Sequence, residues 1–434
     1  MVNFVHKMKI GLVLPPSDDI LYLDVFGVNL PPTGLAYLAG FLKESGYEVF
    51  ILDMSSQKMG WSEFDKILSI EKPDIVGIYC ALTRIKQAMN AAEIAKQNQA
   101  FTVLGGPEPS INDKIFFTNP FVDAVVRGEG EFTFLDLAKH IEGKAGLGTI
   151  RGLTYRDKNR VVVNSKRPLI QKLDSLPFPP WHLFPTHKYR LFNKLSLLSI
   201  ASSRGCVYNC DFCAVPHMYQ YIWRGRSPEN VVDEIEYLME KYTPSIVFFS
   251  DDSFMVDFER VEEICNEILK RKLEFFWFCL ARIDLSINLM NKMKKAGCVA
   301  LLFNIESHMM NNKDVVEHAF KNAKRAKIFG IANFVFGFPR ETYDACLEKI
   351  RFITNVNADH AMFFRNVSGG YLNLSTLTAI EKMAYRRFYL RKNYILNHIK
   401  QAYHNFKPEI NHRGLALHYI KWFFETILYI NQLH

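Results

Sequence analysis

Cys206, Cys210 and Cys213 stand as C-V-Y-N-C-D-F-C, a C-x3-C-x2-C run. Three thiolates at this spacing can ligate three irons of a [4Fe–4S] cluster and leave the fourth iron open. A cluster held by four protein thiolates is suited to carrying electrons, whereas an open iron can take a small molecule and act on it. Zinc is the competing metal. Its structural sites use two C-x2-C pairs, or cysteines with histidines at helical spacing, and no second C-x2-C exists here. Three unrelated core thiols are the other alternative. The remaining cysteines (Cys80, Cys265, Cys279, Cys298, Cys346) stand singly on apolar segments and read as core packing.

With 434 residues, 49% hydrophobic and 23% charged, the chain is long and apolar enough for two or three globular domains. Singly placed cysteines beside a cluster motif point to a reducing compartment, so a cytoplasmic location is expected. The apolar run Ile10–Leu14 stops at Pro15-Pro16, too short for a signal sequence. No run approaches the ~20 apolar residues that span a bilayer. Net charge is +8. Part of the excess lies in Lys382, Arg386, Arg387, Arg391, Lys392 and Lys400, interleaved with Tyr385, Phe388, Tyr389 and Tyr394. This pattern reads as a solvated helix face or as a surface for an anionic partner.

Apolar β-branched runs alternate with helical ones over the first part of the chain. Strands are expected over Lys9–Leu14, Glu48–Asp53, Asp74–Tyr79, Phe101–Leu104 and Val122–Val126, with helices between them. This pattern predicts α/β architecture with a doubly wound, flavodoxin-like parallel sheet in a domain covering residues 1–145. Its ligand is expected at the strand C-terminal ends, where Gly105-Gly106-Pro107 and Gly128-Glu129-Gly130 fall. Residues 146–194 read as a connector, with a small hairpin over Gly152–Val163 and a proline-dense stretch at Leu173–Trp181. A second series of six strands, beginning at Leu195–Ala201 and ending at Ala361–Arg365, predicts a partial (β/α)6 barrel over residues 195–368. Residues 369–434 read as a small helical region.

The cysteine loop after the first strand of such a barrel, with Phe212 before its last cysteine, resembles the radical S-adenosylmethionine (SAM) superfamily. The doubly wound domain ahead of it and the Leu-Pro-Phe-Pro connector resemble the cobalamin-binding branch. The resemblance runs from about Met8 to Phe364. It implies that Cys206, Cys210 and Cys213 hold the cluster, that the open iron chelates SAM, and that one electron releases a 5′-deoxyadenosyl radical. It places the SAM contacts at Phe212, Asp251, Asp252, Arg282, Glu306, Ser307 and Gly337, with Arg282 suited to a bidentate grip on a carboxylate. It places cobalamin contacts at Thr33, Gly34, Leu82, Thr83, Gly105, Gly106, Pro107, Glu108, Gly128, Glu129 and Gly130. There is no Asp-x-His-x-x-Gly run, so no protein histidine is expected beneath the corrin.

The implied reaction is methyl transfer to an unactivated carbon. Radical cyclisation or rearrangement of a lipid, isoprenoid or tetrapyrrole is the alternative, as is a non-catalytic cobalamin or SAM binder. The implied partners are a flavodoxin- or ferredoxin-type reductant and a small-molecule or lipid-like substrate with an anionic end. A peripheral membrane contact is also expected, and no nucleic acid. Methylthiotransferases carry three cysteines in the first domain, where this chain has Cys80 alone. The segment His308–Asp314 and the stretch after Phe364 are shorter than in relatives, both on the expected substrate side.

Overall fold

The computed structural model describes residues 7–17, 27–144, 146–208, 210, 213–305, 309, 312–356, 358–366, 371–396 and 413–433, the side chains of 413–420 and 422 excepted. Two compact units emerge, and neither is continuous in sequence. One contains the first strand, Pro31–Lys188 and Ala201–Asn230; the other contains Tyr189–Ile200 and the chain from Val231. The cysteine loop thus belongs to the first unit, although the strand that delivers it belongs to the second.

The first unit is built on strands β1 (Lys9–Leu14), β2 (Glu48–Asp53), β3 (Ile75–Tyr79), β4 (Phe101–Gly105) and β5 (Ala124–Val126). They lie in the order β2-β1-β3-β4-β5, all parallel. This is the flavodoxin-type order, whose switch point falls between β1 and β3. Helices on both faces explain why these strands read as near-continuous apolar runs. The expected hairpin forms as β6 (Leu153–Asp157) and β7 (Arg160–Val163). It is not a free connector: β6 pairs antiparallel with β5 and extends the sheet. The proline-dense stretch forms short 3₁₀ turns at Leu173–Ser175 and Trp181–Leu183, with Trp181 fully buried.

Strands β8 (Arg190–Leu191) and β9 (Leu195–Ile200) open the second sheet, while β10 (Ser203–Arg204) and β11 (Arg224–Gly225) form a separate antiparallel pair in the first unit. The second sheet continues through β12 (Ile246–Phe249), β13 (Trp277–Ala281), β14 (Cys298–Ile305), β15 (Phe329–Phe336) and β16 (His360–Arg365). Its order is β16-β15-β14-β13-β12-β9-β8, with β9 and β12 to β16 parallel. These six strands are the predicted partial barrel. One face carries Leu197, Ile246, Phe278, Ala300 and Leu302. On the other face Phe303 packs edge-on against Phe320 of the helix Lys313–Arg325, ring centroids 5.1 Å apart. Helix starts follow local chemistry: Asp257, Ser286, Thr342 and Asn373 each accept a backbone N–H from the first turn.

The helix Leu374–Tyr389 covers β16, which would otherwise be a bare sheet edge. Tyr389 Oη accepts from Ala361 N at 3.1 Å and donates to Ala361 O at 2.9 Å, and Tyr385 Oη accepts from Phe363 N at 3.2 Å. Tyr394 Oη donates to Asp359 O at 2.9 Å. Tyr385, Phe388, Tyr389 and Tyr394 are all buried. These aromatics are therefore core residues that satisfy an edge strand, and the sequence reading that interleaved them with a binding surface is corrected. No described helix is long and apolar enough to cross a membrane.

Tyr389→Phe strips two hydrogen bonds from buried edge backbone, and a lost buried hydrogen bond with its partner stranded costs about 1–3 kcal/mol. A urea or thermal melt is expected to show destabilisation of that order. A melt equal to wild type would mean that the edge does not need this hydroxyl.

Candidate functional site

The cysteine loop leaves the chain through a two-stranded neck. Ser203 pairs with Gly225 and Arg204 with Arg224, so Gly205 to Trp223 project as one closed loop. Gly205, directly before Cys206, has φ +89, and a Cβ there would meet Ile222 O at 2.1 Å. Only glycine fits this turn. Cys213 N donates to Cys210 O at 3.0 Å, and Cys213 caps the short helix Ala214–Met218. All three cysteines are half-buried and none of the eight is in a disulfide. Phe212 lies outside the described residues.

The neck is held by charge. Glu129 accepts from Arg204 Nη1 at 3.1 Å, from Arg224 Nη1 at 2.9 and 3.1 Å, and from Ile170 N at 2.7 Å. Glu131 accepts from Arg204 Nη2 at 2.7 Å. Both carboxylates and Arg224 are buried. Burial alone would depress the Arg204 guanidinium, but Glu131 and Glu129 outweigh it and the net shift is upward. Arg226, also buried, donates to Tyr37 Oη and Ala201 O, both at 3.1 Å.

Strand-end loops of the first unit carry the other expected residues. Thr33 and Gly34 open the helix Thr33–Glu44. Leu82 and Thr83 are exposed after β3. Gly105 ends β4, Gly106 caps the short helix Pro107–Ile111 with φ +110, and Asn112 donates to the Glu108 carboxylate. That helix packs against Ala214–Met218 of the cysteine loop. Gly128 and Gly130 flank Glu129 after β5, and Gly128 N donates to Ser110 Oγ at 2.9 Å. A Cβ built on Gly34 or Gly128 meets nothing within 4 Å, so open space lies along this edge. Cys80 is fully buried; burial, then the Glu108 charge, push its thiol up to about 12.

In the second unit the expected residues also fall at strand C-terminal ends. Asp251 is buried and Asp252 exposed after β12. Arg282 follows β13, with its guanidinium 5.7 Å over the Phe258 ring. It does grip a carboxylate bidentately, but the carboxylate is its own neighbour's: Nε and Nη2 donate to Asp284 at 2.8 and 2.5 Å. These hydrogen bonds hold the Asp284 carboxyl below its ordinary range. Gly337 follows β15 with φ +92, where a Cβ would meet Asn366 O and Leu377 at 2.9 Å. Glu341 accepts from Gly337 N at 2.7 Å and Phe338 N at 3.2 Å, and pairs with the buried Lys349. Glu306 and Ser307 lie outside the described residues, and the segments expected to be short, His308–Asp314 and the stretch after Phe364, lie partly outside them.

The donor chemistry separates the two classes of cysteine. Burial raises the thiols of Cys265 and Cys346 to about 12 and those of Cys279 and Cys298 well above the ordinary value. A thiol must ionise to bind iron, so these are inert packing groups. Among the described residues no three metal-ligating side chains already converge on one point. Three partly accessible thiols on one short loop suit a cluster that lacks a fourth protein ligand. Small residues and open strand ends on a flavodoxin-ordered sheet likewise suit a bulky nucleotide-tailed cofactor. The sequence reading did not anticipate Glu131, Arg204, Arg224 or Arg226 at the neck. Their only local signal was charge set close to glycine and cysteine in Arg204-Gly205-Cys206 and Gly128-Glu129-Gly130-Glu131.

A flavodoxin-ordered domain and a six-stranded parallel half-barrel whose first strand leads into a three-cysteine loop define a radical SAM protein with a cobalamin-type domain. Comparison with known proteins agrees. The model of the B12 binding domain matches residues 20–138, and that of the Radical SAM superfamily matches residues 200–353. An uncharacterized methyltransferase of Pyrococcus horikoshii is 33% identical over 369 residues, covering 82% of this chain and 80% of that one. The anaerobic magnesium-protoporphyrin IX monomethyl ester cyclase of Rubrivivax gelatinosus is 28% identical, covering 77% and 63%. The cytidylyl-2-hydroxyethylphosphonate methyltransferase of Streptomyces wedmorensis is 27% identical, covering 76% and 72%.

Among solved structures, the radical SAM methyltransferase TsrM of Kitasatospora setae, with cobalamin and a [4Fe–4S] cluster bound, superposes with TM-score 0.67 at 16% identity, covering 83% of this chain and 75% of that one. The cobalamin-dependent radical SAM enzyme OxsB superposes with TM-score 0.65 at 18% identity, covering 87% and 55%. These likenesses show the fold. The chain belongs to the cobalamin-binding radical SAM proteins, whose cofactors are a [4Fe–4S] cluster, SAM and cobalamin.

Gly205→Ala is expected to displace the loop at Cys206 and to lower iron bound per chain after anaerobic reconstitution, whereas Cys265→Ala leaves iron content unchanged. Wild-type iron in the Gly205 variant would show that the turn is not needed to present the thiols.

Proposed function

We propose that this protein is a cobalamin-dependent radical SAM methyltransferase acting on an unactivated carbon of a small molecule. The observation that carries the reading is the placement of Cys206, Cys210 and Cys213 on a braced loop after β9, in the same compact unit as the open strand ends of the flavodoxin-type sheet. When bound, the cofactors supply reductive cleavage of SAM to a 5′-deoxyadenosyl radical and the methyl group. The protein supplies placement and exclusion of water. The three thiols hold the cluster. Asp251, Asp252, Arg282, Gly337 and, from the sequence, Phe212, Glu306 and Ser307 bind SAM. Thr33, Gly34, Leu82, Thr83, Gly105 to Glu108 and the Gly128–Gly130 turn line the corrinoid. Arg282 reaches the SAM carboxylate by exchanging its Asp284 partner. A flavodoxin- or ferredoxin-type protein donates the electron.

The relative with the higher identity is named a methyltransferase and the Rubrivivax relative a cyclase, which favours methyl transfer over ring closure. Anaerobic reconstitution with iron, sulfide, cobalamin, a reductant and SAM is expected to yield 5′-deoxyadenosine from wild type and none from Cys206→Ala. Absence of product from both proteins would sink the reading.

An anionic membrane surface is the partner we propose for the second unit. A cleft of about 800 Å³ is lined by Lys324, Arg351, Arg387, Arg391 and Lys392. It lies at the helix C-terminal ends that precede β15 and β16, opposite the strand ends that build the SAM site, so it is no part of that pocket. Tyr394 also lines it and packs on Phe423 of the last helix, whose Phe424 and Leu428 are exposed. The cleft's cations, outnumbering the one acidic residue of its lining, Asp359, and the exposed apolar side chains of the helix that Tyr394 touches match an anionic phospholipid surface. Sedimentation with phosphatidylserine-containing vesicles is expected, and it should drop sharply in R387E/K392E. Equal binding to pure phosphatidylcholine vesicles, or no binding to either, overturns this partner.

A further inference from the structure

The buried charges at the neck have no direct part in holding iron or SAM, and charged groups are costly to bury. Two carboxylates and two guanidiniums are paired there: Glu129 with Arg204 and Arg224, and Glu131 with Arg204. A buried ion pair contributes little net stability over apolar packing, and its best-attested use is to specify one geometry. The geometry specified here is that of the cysteine loop. Arg204 and Arg224 face each other across the two-residue pairing that closes the loop, and an isolated two-stranded pairing is marginal in water. One carboxylate accepting from both strands staples them together. Ile170 tightens the staple, donating its N–H to Glu129 at 2.7 Å and accepting from Arg224 at 2.5 Å.

We propose that Glu129 and Glu131 are positioning residues that set the shape of the iron-binding loop from within the cobalamin-binding unit. This rests on the reading that Cys206, Cys210 and Cys213 hold the cluster. Glu129 lies between Gly128 and Gly130, in the loop assigned to the corrinoid. A second contact runs in parallel, because the helix Pro107–Ile111 that follows the Gly105-Gly106 turn packs against Ala214–Met218, directly after Cys213. The loop assigned to the corrinoid and the cysteine loop are thus joined at two places, by the buried charge network and by this helix contact. The consequence is energetic coupling: cluster assembly tightens corrinoid binding and corrinoid tightens cluster retention by the same factor, since binding linkage is reciprocal.

The test uses full-length protein with two readouts besides turnover: iron per chain with the electron paramagnetic resonance spectrum of the reduced cluster with and without SAM, and hydroxocobalamin affinity by absorbance titration. In wild type, cobalamin affinity is expected to be higher with the cluster assembled than in the iron-free protein, within the roughly 5–150-fold range common for coupled sites. E129Q is expected to bind several-fold less iron, to broaden or abolish the SAM-induced spectral shift, and to lose the coupling. Because E129Q strands a buried arginine, E129Q/R224M is made beside it to restore charge balance. Recovery of the melting temperature without recovery of spectrum or coupling supports positioning. Recovery of all three in the double variant would mean the carboxylate acts through stability alone. A normal spectrum and normal coupling in E129Q also overturn the proposal. C206A separates this from failure of the underlying reading, since wild-type iron content in C206A removes the cluster assignment itself.

Discussion

Among its described residues, the loop between Gly205 and Trp223 contains one short helix and little other regular structure, so its conformation depends on what holds its two ends. The ends are held by Arg204 and Arg224, and those arginines are held by Glu129 and Glu131. Out of water, the attraction between these charges is screened far less than at a surface. Removing Glu129 strips the buried Arg224 of its carboxylate, and removing Arg204 strips the buried Glu131 of its guanidinium. The two ends of the cysteine loop are therefore anchored by residues that follow β5 of a different sheet.

The two parallel sheets solve one problem twice. Each strand runs into its following loop at the same edge, so a long chain delivers many short loops to one line without long-range threading. In the first unit that edge collects small residues with open space beside them. In the second it collects Asp251, Arg282 and Gly337. The Gly337 turn is held by Glu341, and Arg282 by Asp284. Such pinning orders these polar loops from within the protein itself.

The alternation of strand and helix was legible because a parallel sheet covered on both faces demands continuous apolar strands, and β1, β3 and β12 satisfy that demand plainly. The helix caps that the structure shows at Asp257, Ser286 and Thr342 rest on equally local chemistry. The Tyr385, Phe388 and Tyr389 set was misread because interleaved cations and aromatics are also what a helix covering a sheet edge contains. Whether a tyrosine faces solvent or a bare strand depends on which element lies opposite. The role of Glu129 was hidden in another way. Between two glycines it resembles a ligand loop, and only the approach of Arg204 and Arg224, far along the chain, commits its oxygens.

Local chemistry settled the cluster motif, the strand and helix series and the glycine turns, since spacing, backbone freedom and side-chain period act over a few residues. The sequence alone thereby determined that this chain presents three thiols after the first strand of a half-barrel. Tertiary structure decided the rest: that the loop belongs with the cobalamin-binding unit, that Arg282 starts out bound to Asp284, and that the C-terminal aromatics close a sheet. Those outcomes turn on pairings between residues distant in sequence, and the burial that makes such pairings strong exists only once the chain has folded.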